Sequence, residues 1–359
     1  MKPDYSFSAS HADEDLVQES PPANGGSHTK PKSLLTRLLR SILLFLVLAV
    51  LLFIALRSAP LKDIWSTLTK LQPWQLAILL FVNALVILFM TLRWWLILRA
   101  ELPGLPFIPL IGYRLSAFAM SYFTPGPQVG GEPLQIILLR RNHDVSFARA
   151  GSAVLLDKLF EFLGNFVFIG IGLFAITRVG LLSEHITISA IGWIVLAILV
   201  SWPIIHFLLL YTRRKPISVL LRTFLSKYAN RKWYRLIIAA EYLAASFTHR
   251  HPRFLFGALL ASLVSWSGMG LEYLLMLQFI DIHLTLWQAL AGLTAALLAF
   301  LFPLPGGLGA LEASQVLALG SFGYSPATAI GLTLLMRARD LVNGLLGLWL
   351  VGGNFRKYL

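Results

Sequence analysis

The stretch Thr124-Pro125-Gly126-Pro127-Gln128-Val129-Gly130-Gly131-Glu132 leads through Arg140 and Arg141 into an apolar segment that carries Asp157, Lys158 and Glu161. Much of this pattern recurs about 180 positions later as Pro305-Gly306-Gly307-Leu308-Gly309-Ala310-Leu311-Glu312, followed by Arg337, Arg339 and Asp340. A slide of 180 places Glu132 on Glu312. A slide of 179 places Ser146 on Ser325, Leu155-Leu156 on Leu334-Leu335, Lys158 on Arg337 and Glu161 on Asp340. Apolar matches come cheaply in membrane segments, but acidic and basic positions repeated inside them do not.

Working outward, the 359 residues are 57% hydrophobic and only 13% charged, with a mean hydropathy of +0.72. These values exclude an ordinary soluble domain and indicate a multispan membrane protein. The net charge of +13 lies between apolar runs rather than on one soluble face, so membrane topology explains it better than nucleic-acid binding. The absence of cysteine removes disulfides, thiolate metal sites and Cys nucleophiles from consideration.

Residues 1–33 are rich in acidic, Ser, Pro and Gly residues and too poor in apolar ones to order, so they read as a disordered cytoplasmic tail. The first apolar run begins near Ser41 with no short amino-terminal region before it, which does not fit a cleavable signal peptide. Six apolar stretches are each long enough to cross the bilayer as a helix, at about 41–57, 74–97, 148–177, 187–211, 254–279 and 325–351. Two further pairs are short and broken by Pro and Gly, 106–123 with 132–142 and 287–302 with 308–321; they predict re-entrant hairpins. The expected fold is therefore all-α, with a membrane domain over 34–359: repeat one at about 74–177, a basic loop at 213–253, and repeat two at about 254–351. Each repeat then comprises a span, a second span, a broken hairpin and a third span, and three true crossings per repeat make the copies inverted, the recurrent plan of transporters.

Positive charge tests the topology. With each broken pair entering and leaving on one side, Arg93, Arg99, Arg140, Arg141, Arg149, the loop from Arg213 to Arg253, and Arg356 and Lys357 all fall in the cytoplasm, as do both termini. This predicts a multi-pass protein of the cytoplasmic membrane. Within the basic loop, Ile217, Leu220, Leu221 and Phe224, and again Trp233, Leu236, Ile237 and Ala240, follow helical apolar spacing. Two amphipathic helices against an anionic membrane surface are expected there.

The candidate site follows from the repeat. Lys158 and Glu161, with Asp157 four residues before Glu161, share a helical face, as do Arg337 and Asp340. Ionisable groups in lipid cost several kcal/mol unless paired or hydrated, so these faces point inward. They fit a polar pathway, and they fit equally a set of structural pairs that fix helix packing. Glu132 and Glu312 fall where short helices begin, a position at which the helix dipole favours a carboxylate and glycine amides can meet an anion. A plain capping role is the alternative. Gly126, Gly130, Gly131, Gly306, Gly307 and Gly309 allow the tight turns, Arg140 lies just beyond the first hairpin, and Arg114 and Glu272 are further buried charges with no partner evident. The eight histidines show no metal-ligand spacing, and no nucleophile-elbow or phosphate-loop motif is present, so no metal, cofactor or soluble catalytic site is expected.

The two glycine loops with Glu132, Glu312 and Arg337 resemble the flippase-like transmembrane region of bacterial lysylphosphatidylglycerol synthases, over roughly 40–351. In those synthases a soluble aminoacyl-transferase domain follows the membrane region and makes the lysylated lipid, while the membrane part is implicated in moving it. This chain looks like the membrane part alone. The resemblance thus implies a translocase of a phospholipid or lipid-linked substrate without synthase activity. It marks the loop glycines, Glu132 and Glu312 as family-pattern positions without assigning them roles. Two other readings are a non-transporting scaffold that docks a separate lipid-modifying enzyme through 213–253, and an intramembrane transferase.

Overall fold

The computed structural model describes residues 65, 69–123, 130–179, 190–302 and 304–356. The expected tail, the span at 41–57, Gly126 and the two ends of the chain lie outside these residues. All regular structure described is helical. The helices are α1 (Pro73–Arg99), α2 (Ile108–Phe123), α3 (Glu132–His143), α4 (Phe147–Val179), α5 (Ala190–Tyr211), α6 (Pro216–Phe224), α7 (Lys232–Arg250), α8 (Pro252–Phe279), α9 (Leu286–Ala299), α10 (Ala310–Gly320) and α11 (Pro326–Arg356). Proline opens α1, α6, α8 and α11, where its fixed φ suits the first turn and its missing N–H is no loss.

By length and apolarity alone, α1, α4 and α8 can each cross a membrane. α11 has 31 residues but carries Arg337, Arg339 and Asp340 at its centre, a cost in lipid that neighbouring protein must offset. The arms of the two broken pairs are 16, 12, 14 and 11 residues long. At 1.5 Å per residue they reach about 24, 18, 21 and 17 Å, short of the ~30 Å hydrocarbon thickness. Within each pair the arms pack on each other, α2 on α3 and α9 on α10.

The halves are interlocked. Among the described residues, α1 and α8 form the most extensive contact, while each hairpin's first arm packs on the other half's long helix: α2 on α11, and α9 on α4. The two larger core clusters keep the register of the sequence repeat. Trp94, Ile97, Leu98, Leu110, Ala150, Ala153 and Leu156 in the first cluster stand 179 positions before Tyr273, Met276, Leu277, Ala289, Ala329, Leu332 and Leu335 in the second. Close approach of backbones at the exchanged contacts depends on glycine. A methyl at Gly347 of α11 would overlap the Leu115 carbonyl of α2, and one at Gly172 of α4 would overlap the Thr294 side chain of α9.

In the basic loop, α6 is amphipathic as expected, with Val219, Leu220 and Phe224 exposed. α7 does more than rest on a surface: its apolar residues Ala244, Ala245 and Phe247 enter the first core cluster, and the helix packs on α4 and α5. Fully buried Glu241 of α7 clasps the start of α6, accepting hydrogen bonds from the Ile217 amide (2.7 Å), the Ser218 amide (2.6 Å) and the Ser218 hydroxyl (2.5 Å). A carboxylate on free amides at a helix start satisfies donors that have no helical partner. Glu241→Ala removes all three bonds, and a cost of about 1–3 kcal/mol is expected. It should appear as faster amide exchange over 216–224, and unchanged exchange there would refute the clasp.

Candidate functional site

The hairpin glutamates meet the long helices in the same way in both halves. Glu132, in the first turn of α3, binds Lys158 of α4 (Oε1 to Nζ, 2.8 Å) and accepts the Gly130 amide at 2.8 Å. Glu312, in the first turn of α10, accepts both Nε (2.5 Å) and Nη2 (2.8 Å) of Arg337 of α11, together with the Gly309 amide at 2.9 Å. Each carboxylate therefore does two jobs, tying down its own glycine loop and latching the hairpin to the third helix of its half. Lys158 also binds Glu161 at 2.8 Å. Arg337 adds a bond from Nη1 to the Gly306 carbonyl at 3.3 Å. The planar guanidinium makes the second latch bidentate, where an ammonium binds as a point charge.

Glycine is required at particular points of these loops. Gly306 and Gly309 adopt φ of 55° and 78°, in the left-handed region that strains other residues. Gly131 has an ordinary φ but lies so close to α2 that a Cβ would overlap the Ala117 carbonyl. Its amide donates to Ser121 Oγ at 2.9 Å.

A second pair of ion clusters sits behind the latches. Asp157 is 3% exposed and accepts from two arginines, Nε of Arg93 on α1 (2.7 Å) and Nη2 of Arg114 on α2 (2.6 Å). Arg93 also donates from Nη1 to Ser262 of α8 at 3.1 Å. In the other half, Arg339 of α11 binds Glu272 of α8 (3.0 Å) and Asp340 (2.8 Å). Arg93 and Glu272 occupy matching places in the 179-residue register, so the second span of each half, α1 or α8, is tied to its own third span by a charge pair of reversed polarity.

Several expectations change in detail. Arg93, counted by sequence with the cytoplasmic charges, is completely buried between α1, α4 and α8. Asp340 does not act with Arg337: Arg337 turns to Glu312, and Asp340 takes Arg339, its neighbour in sequence. Asp157 likewise serves α1 and α2 while Lys158 and Glu161 serve the latch. Arg140 joins neither cluster. It is exposed at the end of α3, with its guanidinium 4.3 Å over the Phe147 ring. Arg114 and Glu272 acquire partners. The signal that could have found Arg93 is the register itself, which pairs it with Glu272. Outside the spans, burial pushes the Glu101 carboxyl, in the loop after α1, above its usual value, against the opposing pull of Arg149, His251 and Arg250.

The all-helical bundle, its apolar spans and its ion pairs closed inside the bundle define a multi-pass integral membrane protein. The profile of the family described as the lysylphosphatidylglycerol synthase TM region matches residues 40–347, and the chain belongs to that family. It is similar to a UPF0104 membrane protein of Methanothermobacter thermautotrophicus (strain Delta H), with 33% identity over 124 residues. That match spans 34% of this chain and 34% of the relative. No solved structure matches.

Proposed function

We propose that this protein is a translocase of a lipid or lipid-linked substrate in the cytoplasmic membrane, built from two inverted copies of a span, a second span, a re-entrant hairpin and a third span. One observation carries the reading: the latch from hairpin glutamate to third-helix cation, made at matching positions in both halves. The latch pairs are partly buried, and breaking such pairs is costly unless another charge takes over, so a charged head group that replaces one partner favours an open latch. The exchanged contacts, α2 on α11 and α9 on α4, support movement of one half against the other, since each hairpin rides on the opposite long helix.

In this arrangement both termini and the basic loop face the cytoplasm. α6 lays Val219, Leu220 and Phe224 against the inner leaflet, with Arg222, Lys227 and Arg231 exposed near its anionic head groups. The scaffold alternative gains no specific support from the packing of α7 into the bundle.

The test is lipid movement in reconstituted vesicles. Glu132→Gln and Glu312→Gln, each verified as monodisperse, should slow translocation of a fluorescent phospholipid by at least about tenfold, about 1.4 kcal/mol of barrier. Full rates in both variants would remove the latches from the mechanism.

A further inference from the structure

Glu272 is the most deeply buried carboxylate of the two clusters behind the latches, at 1% exposure. Its Oε2 accepts from Arg339 Nη1 at 3.0 Å, while its Oε1 is buried with no hydrogen-bond partner. Arg339 is not its alone, because Nε and Nη2 of the same guanidinium both turn to Asp340 Oδ1 at 2.8 Å. Two carboxylates therefore share one cation. Arg337 cannot supply the missing charge, since Glu312 already engages it through two oxygens.

Among the described residues, no other cation pairs with this carboxyl. From α11 come Arg339 and Asp340, and from α1 the buried Asn83 faces the carboxyl. α9 has no charged residue. From α1 and α4, the Arg93–Asp157 pair meets α8 at Ser262. Ten residues of helix separate Ser262 from Glu272, about 15 Å. From α2, the Tyr122 hydroxyl faces Asp340 and Arg337. The Asn83 amide carries no charge, so a buried carboxylate that shares one cation with Asp340 keeps a large desolvation cost, whereas a neutral carboxyl carries far less.

We propose that Glu272 is a proton-binding site. One proton from water forms an O–H bond at Oε1, which takes the Glu272, Arg339 and Asp340 group from a net charge of −1 to neutrality. The same bond breaks, returning the proton to water, when the α8–α11 contact opens. A metal cation would need several oxygen ligands, more than the Asn83 amide facing the carboxyl supplies. Intramembrane carboxylates of this kind are the usual proton carriers of pumps and transporters. The proton site stands on the geometry of α8 and α11 alone; its use as the coupling ion rests on the translocase reading.

Infrared spectroscopy of the full chain in lipid bilayers tests it directly. At neutral pH, where exposed carboxyls are ionised, the wild-type protein should show the C=O stretch of a protonated acid. That band should shift when glutamate is ¹³C-labelled, vanish in Glu272→Gln, fade as the pH is raised, and persist in Glu101→Gln. The labelled wild type needs no variant, so a misfolded Glu272→Gln leaves the test intact. No glutamate acid band at neutral pH, or a band unchanged in folded Glu272→Gln, would overturn the proposal. In vesicles, an imposed pH gradient should change the wild-type rate of lipid movement and leave the rate of Glu272→Gln unaffected. An acid band without lipid movement would leave the proton site standing and remove the translocase, and lipid movement without the band would do the reverse.

Discussion

Asp157→Asn is expected to leave little folded protein. Asp157 is the shared carboxylate of Arg93, which is wholly buried, and Arg114, whose side chain is 11% exposed. Asparagine keeps the shape but removes the charge, so two guanidiniums inside the bundle lose their counter-ion. Leaving one buried charge unpaired costs about 3–5 kcal/mol, comparable to the whole stability of many domains. The damage falls where α1, α2 and α4 meet, so fluorescence-detected gel filtration in detergent should show loss of the monodisperse peak. Arg93→Gln in the same chain should restore part of it, because it removes one of the two arginines that Asp157→Asn strands and leaves only the less buried Arg114 without its carboxylate. An unchanged melting profile for Asp157→Asn would mean that water or another group carries those charges.

Among the described glycines of α11, Gly347→Ala should be the most damaging change. Its Cβ would fall on the Leu115 backbone carbonyl and press on Ala119, and neither a carbonyl nor a packed methyl can swing aside as a long side chain does. α2 and α11 must then separate along the contact that joins the two halves, at a cost of about 1–3 kcal/mol for an overpacked site. Gly331→Ala in the same helix meets open space, so it should be neutral or slightly stabilising, since alanine favours helix over glycine. Thermal melts of the two variants side by side give the comparison, and equal melting temperatures would contradict the close α2–α11 packing.

The hairpins are legible in the sequence because Pro and Gly interrupt apolar runs too short to span, and the structure's arms at 108–123, 132–143, 286–299 and 310–320 follow those breaks within a few residues. The latches are half legible. Glu132 with Lys158 and Glu312 with Arg337 could be matched by register, but helical spacing suggested partners on the same helix, such as Asp340 for Arg337. The actual choice depends on tertiary distance: Glu312 reaches across from α10, and Asp340 is left to its neighbour Arg339. Arg93 was illegible for another reason. It lies six residues from the end of α1, where charge bias assigns an arginine to the cytoplasm, and only the packing of α4 and α8 around it shows that it is enclosed. In α7, periodicity located an apolar stripe without specifying which part meets lipid and which meets α4. Trp233 and Ile237 are exposed while Phe247 is buried.

The central claim is that the two hairpins enter from opposite sides of the membrane. The chain has no cysteine, so single cysteines report sidedness without background. Gly104, in the loop before α2, and Gly320, at the end of α10, both face open space with no neighbour in the way of a side chain. With a membrane-impermeant maleimide on intact cells stripped of their outer barrier, Gly320→Cys should label at once and Gly104→Cys only after the membrane is opened. Labelling of both from the same side would contradict the inverted arrangement, and with it the two-sided device built on Glu132 and Glu312.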